Sequence, residues 1–210
     1  MSPPDLSHLL AQVRELTRQY KAGRHESFEA FRALTSLLLS LTILDPAGAV
    51  TLGSGPRPDV RVLGGWGGPE DPLPLTNGNY LRFSVTLFLA ETREGTRLKV
   101  EESSYQYQLD TEGERWVFRY DYLRHPRHPH PASHFQIRGN LVEDCLPWRI
   151  PLERIHFPDS RVPLEAVIRL LVEQFGVPAR QPPEIWRPVL SESERPFLNI
   201  AHRPLSGPEN

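Results

Sequence analysis

Cysteine occurs once in the 210 residues, at Cys145, so no intrachain disulfide can form and a cysteine-rich zinc site is excluded. Cys145 itself, in EDCLPW, reads as a small core residue. Methionine occurs only as Met1 and lysine only as Lys21 and Lys99, against 22 arginines. An excess of either charge is also missing: 24 basic against 26 acidic residues leave a formal net charge of −2. The global positive field of a DNA-binding domain is therefore absent, although local basic patches remain open. The longest apolar segment, Ala33 to Leu44, has twelve residues, short of the roughly 20 needed to span a bilayer. The opening MSPPDLSHLL lacks the basic stretch and apolar run of a secretory signal. These absences set the expectation of a cytoplasmic protein without membrane contact. No P-loop, GxGxxG, GxSxG or HExxH occurs, and there is no internal repeat or coiled-coil heptad. Proline, by contrast, is abundant, with 22 residues. Together with the arginine bias it points to GC-rich coding and a thermophilic source.

The remaining residues fall into periodic blocks. Leu6, Leu9, Leu10, Val13, Leu16 and Tyr20 recur at helical spacing, with Gly23 as the stop. Ser27 is a candidate N-cap for a second helix carrying Phe28, Phe31, Leu34, Leu38 and Leu41. Residues 5–44 thus predict a helical hairpin. Residues 47–78 are rich in Gly and Pro and predict a long loop, with Val60 to Leu63 as one short strand. Trp66, set among four glycines, is a candidate ligand clamp there. From Tyr80 the period becomes two: LRFSVTLFLAE, TRLKVEESSYQYQLD, RWVFRYDY and HFQIRG read as an antiparallel meander over 80–157, with LERIHF (152–157) as a fifth strand. Residues 163–176 predict a helix packed on the sheet. Residues 181–210 predict an extended, Pro-rich arm whose Trp186, Val189, Leu190 and Phe197 can dock on the domain or on a partner subunit. The expected fold is a single α+β domain over residues 1–180, with an antiparallel sheet of four to five strands.

Strand alternation then sorts the polar residues. Arg119 and Asp121 share one face, as do His134, Gln136 and Arg138. If the two strands pair, Phe118, Tyr120, Phe135 and Ile137 must meet on the core side, leaving the polar set together outside. One of Glu101 and Glu102 joins them, as does one of each Tyr/Gln pair in Tyr105–Gln108. Such a set can catalyse: a histidine beside a carboxylate serves as general base or acid, arginines hold a phosphate, and Tyr107 can donate a hydrogen bond. The candidate catalytic residues are His134, Asp121, Arg119, Arg138, Glu102 and Tyr107, with Arg124, Arg127, Gln136 and Trp66 for substrate. An ordinary solvated sheet face, with cross-strand ion pairs of about 0.2–1 kcal/mol, remains the competing reading. Between the strands lies LRHPRHPHPAS. His125, His128 and His130 each precede proline and are pushed extended. His128 and His130, two apart, are the better candidates for a shared zinc or other divalent ion. The expectation is nevertheless a protein that needs no cofactor.

The order Glu102, Tyr105-Gln-Tyr107, FRYD (Phe118 to Asp121) and a histidine cluster closed by His134 resembles the TumE-type toxins of bacterial toxin–antitoxin systems, over about residues 80–139. The resemblance implies a short antiparallel-sheet toxin that acts in the cytoplasm, on RNA, and is neutralised by an antitoxin-like protein. This chain departs from the pattern at Tyr122, where an asparagine is usual, in the spacing of its histidines and in its additional helices. Two rival readings accompany the RNA-directed enzyme. One is a non-catalytic protein that homodimerises or binds a partner through its arm and sheet edge. The other is a metal-dependent hydrolase centred on His128 and His130.

Overall fold

The computed structural model describes residues 4–126, 132–138 and 161–201. Two helices open the chain, α1 (Leu6–Lys21) and α2 (Glu26–Leu41). The Asp5 carboxylate caps α1 by accepting from the Ser7 amide at 2.9 Å. Gly23 adopts φ +67° between the helices, and a Cβ there would lie 1.9 Å from the Thr96 carbonyl oxygen. No side chain fits that approach. Ser27 does not cap α2, since His25 holds that position. Buried Ser27 instead links the helices: its hydroxyl accepts from the Arg24 amide and donates to the Gln19 carbonyl, both at 3.0 Å.

The segment expected to be a long loop contributes three strands, β1 (Thr51–Ser54), β2 (Val60–Gly64) and β3 (Leu73–Pro74). The expected strand at Val60–Leu63 is β2. The remainder follow as β4 (Tyr80–Ala90), β5 (Arg97–Gln108), β6 (Trp116–Leu123) and β7 (Ser133–Ile137). All seven form one antiparallel sheet in the order β1-β2-β4-β5-β6-β7, with β3 also on β4. Strands as short as β1, with Gly53 inside it, and β3, which ends in Pro74, have little intrinsic preference for the extended state. Their stability comes from the backbone of β2 and β4, which is why composition alone conceals them. The proposed fifth strand at 152–157 lies outside the described residues.

The inner face of the sheet is apolar. Leu81, Phe83, Tyr105, Tyr107, Phe118 and Tyr120 are all buried there. Helix α3 (Leu164–Glu173) closes the core with Leu164, Val167, Ile168 and Leu171. Beyond it, Phe175 packs its ring 5.4 Å from Tyr107 and 5.3 Å from Phe118. The last described element, α4 (Pro183–Ala201), corrects the expectation of an extended arm. Pro183 stands at the first turn, where its missing N–H costs nothing. Pro188 removes an interior bond, at a cost of about 3 kcal/mol in a lone helix. Burial of Trp186, Val189 and Leu190 offsets it, at about 1.5–3 kcal/mol for each apolar side chain. Ion pairs add further ties, Arg14–Glu192 at 2.9 Å to α1 and Arg169–Glu194 at 2.5 Å to α3. The four helices share one core cluster with the inner face. Among the described residues no helix covers the outer face.

Candidate functional site

Cross-strand register builds the outer face in rows. The first row runs Arg82, Gln106, Arg119, Gln136 across β4, β5, β6 and β7. The next runs Ser84, Ser104, Asp121, His134, and a third holds Thr86, Glu102 and Leu123. A bulge between Thr86 and Leu87 leaves Glu101 as the extra residue, while Glu102 keeps the outward phase of Ser104 and Gln106. These rows floor a cleft of about 420 Å³, lined by Arg82, Ser84, Glu102, Gln106, Arg119, Asp121 and His134 among others. Pro69 and Glu70, from the turn between β2 and β3, contribute to its rim.

Asp121 is the hub. Its carboxylate accepts from Ser104 Oγ at 2.7 Å and from Arg119 Nε at 2.7 Å, and His134 Nε2 stands 3.3 Å from the same oxygen that Arg119 uses. Arg119 also donates through Nη2 to Gln136 Oε1 at 2.7 Å. A carboxylate that already accepts from Ser104 and Arg119 is poorly placed to take a substrate proton. It is well placed to orient an imidazole, because a ring nitrogen bonded to it carries a proton and leaves the other nitrogen as the acceptor. Glu102 supplies a second carboxylate in the cleft, with Oε1 accepting from Thr86 Oγ1 at 3.0 Å. Counted by side chain, two arginines and one histidine face three carboxylates (Glu70, Glu102 and Asp121). The cleft is thus mixed in charge, with carboxylates and a histidine to move protons beside arginines that can hold a single phosphate.

The sequence-derived candidates separate clearly. Arg119, Asp121, His134 and Glu102 come together in the cleft. Gln136 touches it only through Arg119, and Arg138 lies just beyond β7, its amide donating to the Val117 carbonyl at 3.2 Å; the cleft lining does not include it. Tyr107 faces the core instead, and Gln106 takes the outward place. Its hydroxyl accepts from Asn77 at 3.1 Å and Asn79 at 2.6 Å, and burial pushes its phenol pKa up. The alternation Tyr105-Gln106-Tyr107 admits either assignment, and burying two aromatics rather than two amides decides it. Arg124 is committed elsewhere, donating to the Val100 carbonyl at 2.7 Å and lying over the Phe88 ring. Trp66 stands outside the cleft, 78% exposed. Arg127, His128 and His130 lie outside the described residues. Among the described residues no cluster of three or more His, Cys, Asp or Glu side chains could hold a metal ion. Arg82, Ser84 and Ser104 escaped the sequence reading. The signal was there, since Arg82, Ser84 and Thr86 alternate with Leu81, Phe83 and Val85.

In comparison with known proteins, residues 71–175 fit the family model described as Toxin TumE. No curated protein and no solved structure matches the chain. The matched span covers half of the chain and holds every described cleft side chain named above except Pro69 and Glu70; α1, α2 and α4 lie outside it. None of the described helices is long and apolar enough to cross a membrane. The chain belongs to the TumE toxin family.

Proposed function

We propose that this protein is a ribonuclease-type toxin that acts in the cytoplasm through the outer sheet face and is restrained by an antitoxin-like protein partner. The observation that supports the reading most is the chain Arg119–Asp121–His134, with contacts of 2.7 and 3.3 Å on the floor of an open cleft. In this mechanism His134, oriented by Asp121 through Nε2, takes the proton of a ribose 2′-hydroxyl at Nδ1. The 2′ oxygen attacks the adjacent phosphorus, the bond from phosphorus to the 5′ oxygen breaks, and Glu102 in its protonated form is the candidate to give that leaving oxygen its proton, the proton held by His134 then passing through water to restore Glu102. The guanidinium N–H groups of Arg119 not used by Asp121 and Gln136 neutralise charge developing on the phosphate. The products are a 2′,3′-cyclic phosphate and a 5′-hydroxyl. Expression of the intact chain without its partner should arrest growth, and His134→Ala should lift the arrest while the folded protein still accumulates. Arrest that persists with folded His134→Ala protein would remove the proposal.

A further inference from the structure

The turn between β2 and β3 has a feature that the acid–base cleft does not use. It reads GGWGGPED, from Gly64 to Asp71, and it is closed on itself. Gly65 and Gly68 are bridged, with the Gly68 amide donating to the Gly65 carbonyl at 3.0 Å. A Cβ at Gly64 would sit 2.4 Å from Pro69 Cα, one at Gly65 2.2 Å from the Asp71 carbonyl oxygen, and one at Gly67 1.9 Å from Asp71 Oδ2. Gly68 adopts φ +128°. Backbone therefore bars a side chain at Gly64 and Gly65, the positive φ disfavours one at Gly68, and one at Gly67 would have to push the Asp71 carboxylate aside; ordering four glycines costs more backbone entropy than ordering any other residues. What this conformation presents is Trp66, at 78% exposure the most exposed large apolar side chain among the described residues. The next most exposed, Leu198 and Ile137, are at 40% and 38%.

Its position relates it to the cleft. Pro69 and Glu70 line the rim, and three residues span at most about 11 Å of chain. Glu70 lies 3.6 Å from Arg82 Nη1, which ties the turn to β4. Arg82 itself lines the cleft with its side chain 30% exposed, and its Nη2 makes only a long 3.3 Å bond to the Glu112 carbonyl, so a second guanidinium stands near the rim. We infer that Trp66 is a stacking platform for a nucleobase of single-stranded RNA whose phosphates lie at Arg119 and Arg82, with the glycines holding the indole rigid. This inference rests on the RNA-directed reading of the cleft. An indole fixed in advance stacks on a base without paying the ordering cost of a mobile loop, and every base offers a π face, so the contact is indifferent to sequence.

The test is the affinity of a fluorescein-labelled, mixed-sequence single-stranded RNA for the full chain carrying His134→Ala, measured by anisotropy at fixed salt. In that background Trp66→Ala should weaken binding by about 5- to 150-fold, the span of one base–aromatic stack, whereas Trp66→Phe should stay within about threefold. An oligonucleotide with base-free ribose positions should bind the Trp66 and Trp66→Ala proteins alike. Equal affinity of Trp66→Ala and its parent for the normal RNA overturns the inference, even when the wild-type chain cleaves RNA. Loss of growth arrest in Trp66→Ala with RNA affinity intact overturns it in favour of a protein-binding role. Failure of the wild-type chain both to bind and to cleave RNA defeats the underlying reading instead.

Discussion

Replacing Asp121 by Asn separates orientation of His134 from mere occupancy of the site. The carboxylate accepts from Ser104 and Arg119 at 2.7 Å and faces His134 Nε2 at 3.3 Å. An Asn amide can keep most of this geometry: its oxygen turned toward Arg119 and His134 still accepts, while its NH₂ donates to Ser104 Oγ, a hydroxyl free to rotate and accept. What disappears is the charge. A hydrogen bond to a charged group contributes about 1.5–3 kcal/mol against about 1 kcal/mol for a neutral one. Arg119 and Asp121 side chains are 39% and 22% exposed, so solvent screening reduces the difference. The expected loss is about 1 kcal/mol, or about 2–4 °C in Tm for a chain of this size. Activity should fall far more, by roughly 10²- to 10⁴-fold, since an imidazole without its carboxylate loses both its fixed tautomer and its partner in the charged state. The assay pairs single-turnover RNA cleavage across pH with thermal unfolding of the same sample. Activity within threefold of wild type, in a protein that His134→Ala inactivates, would refute the orienting role. A loss of activity matched by unfolding at the assay temperature would refute it equally.

Two further expectations concern the fold. Burial pushes the Glu165 carboxyl pKa above its ordinary 4.5, partly opposed by Ser193 Oγ donating at 2.5 Å. The folded state therefore keeps this proton to higher pH than the unfolded chain. The resulting stabilisation is complete below about pH 4.5 and is lost as pH rises through the folded pKa, with a slope of up to about 1.4 kcal/mol per pH unit in between. Glu165→Gln should remove that part of the slope, so urea curves of variant and wild type should diverge as pH rises above 4.5; parallel curves would contradict the burial account. Gly78→Ala, at φ +80° with nothing within 4 Å of the new Cβ, should cost only the left-handed backbone penalty of about 1–2 kcal/mol. Gly23→Ala, whose Cβ would meet the Thr96 oxygen at 1.9 Å, should cost about 1–3 kcal/mol more from overpacking. Equal losses in urea denaturation would mean that the close approach is not enforced.

The face that carries the cleft was legible because a strand has an integral period. Once Phe118, Tyr120, Phe135 and Ile137 are assigned to the core, Arg119, Asp121, His134 and Gln136 must lie together outside, and the register pairs Asp121 with His134. The helices α1, α2 and α3 were legible from their apolar stripes for the same kind of reason. Where the reading went astray, stability came from elsewhere in the chain. Strands β1 and β3 exist through hydrogen bonds supplied by β2 and β4, and α4 exists because Trp186, Val189 and Leu190 find a core, against the local signal of Pro188. Tyr107 was ambiguous in principle, because two alternating pairs offer both phases and only burial chooses. Arg82 shows the opposite case, a residue whose alternation was readable but whose membership in the cleft required knowing that β4 and β6 flank β5.

The proposed role of His134, held by Asp121 in the outer-face cleft, is to carry the toxin's chemistry on RNA. It is tested most directly by incubating the purified chain with a defined single-stranded RNA in the presence of EDTA and determining the ends. The wild-type chain should give 2′,3′-cyclic phosphate and 5′-hydroxyl ends, and folded His134→Ala protein none. Ends bearing 5′-phosphate and 3′-hydroxyl, cleavage that survives His134→Ala, or intact RNA alongside a folded wild-type toxin would contradict it.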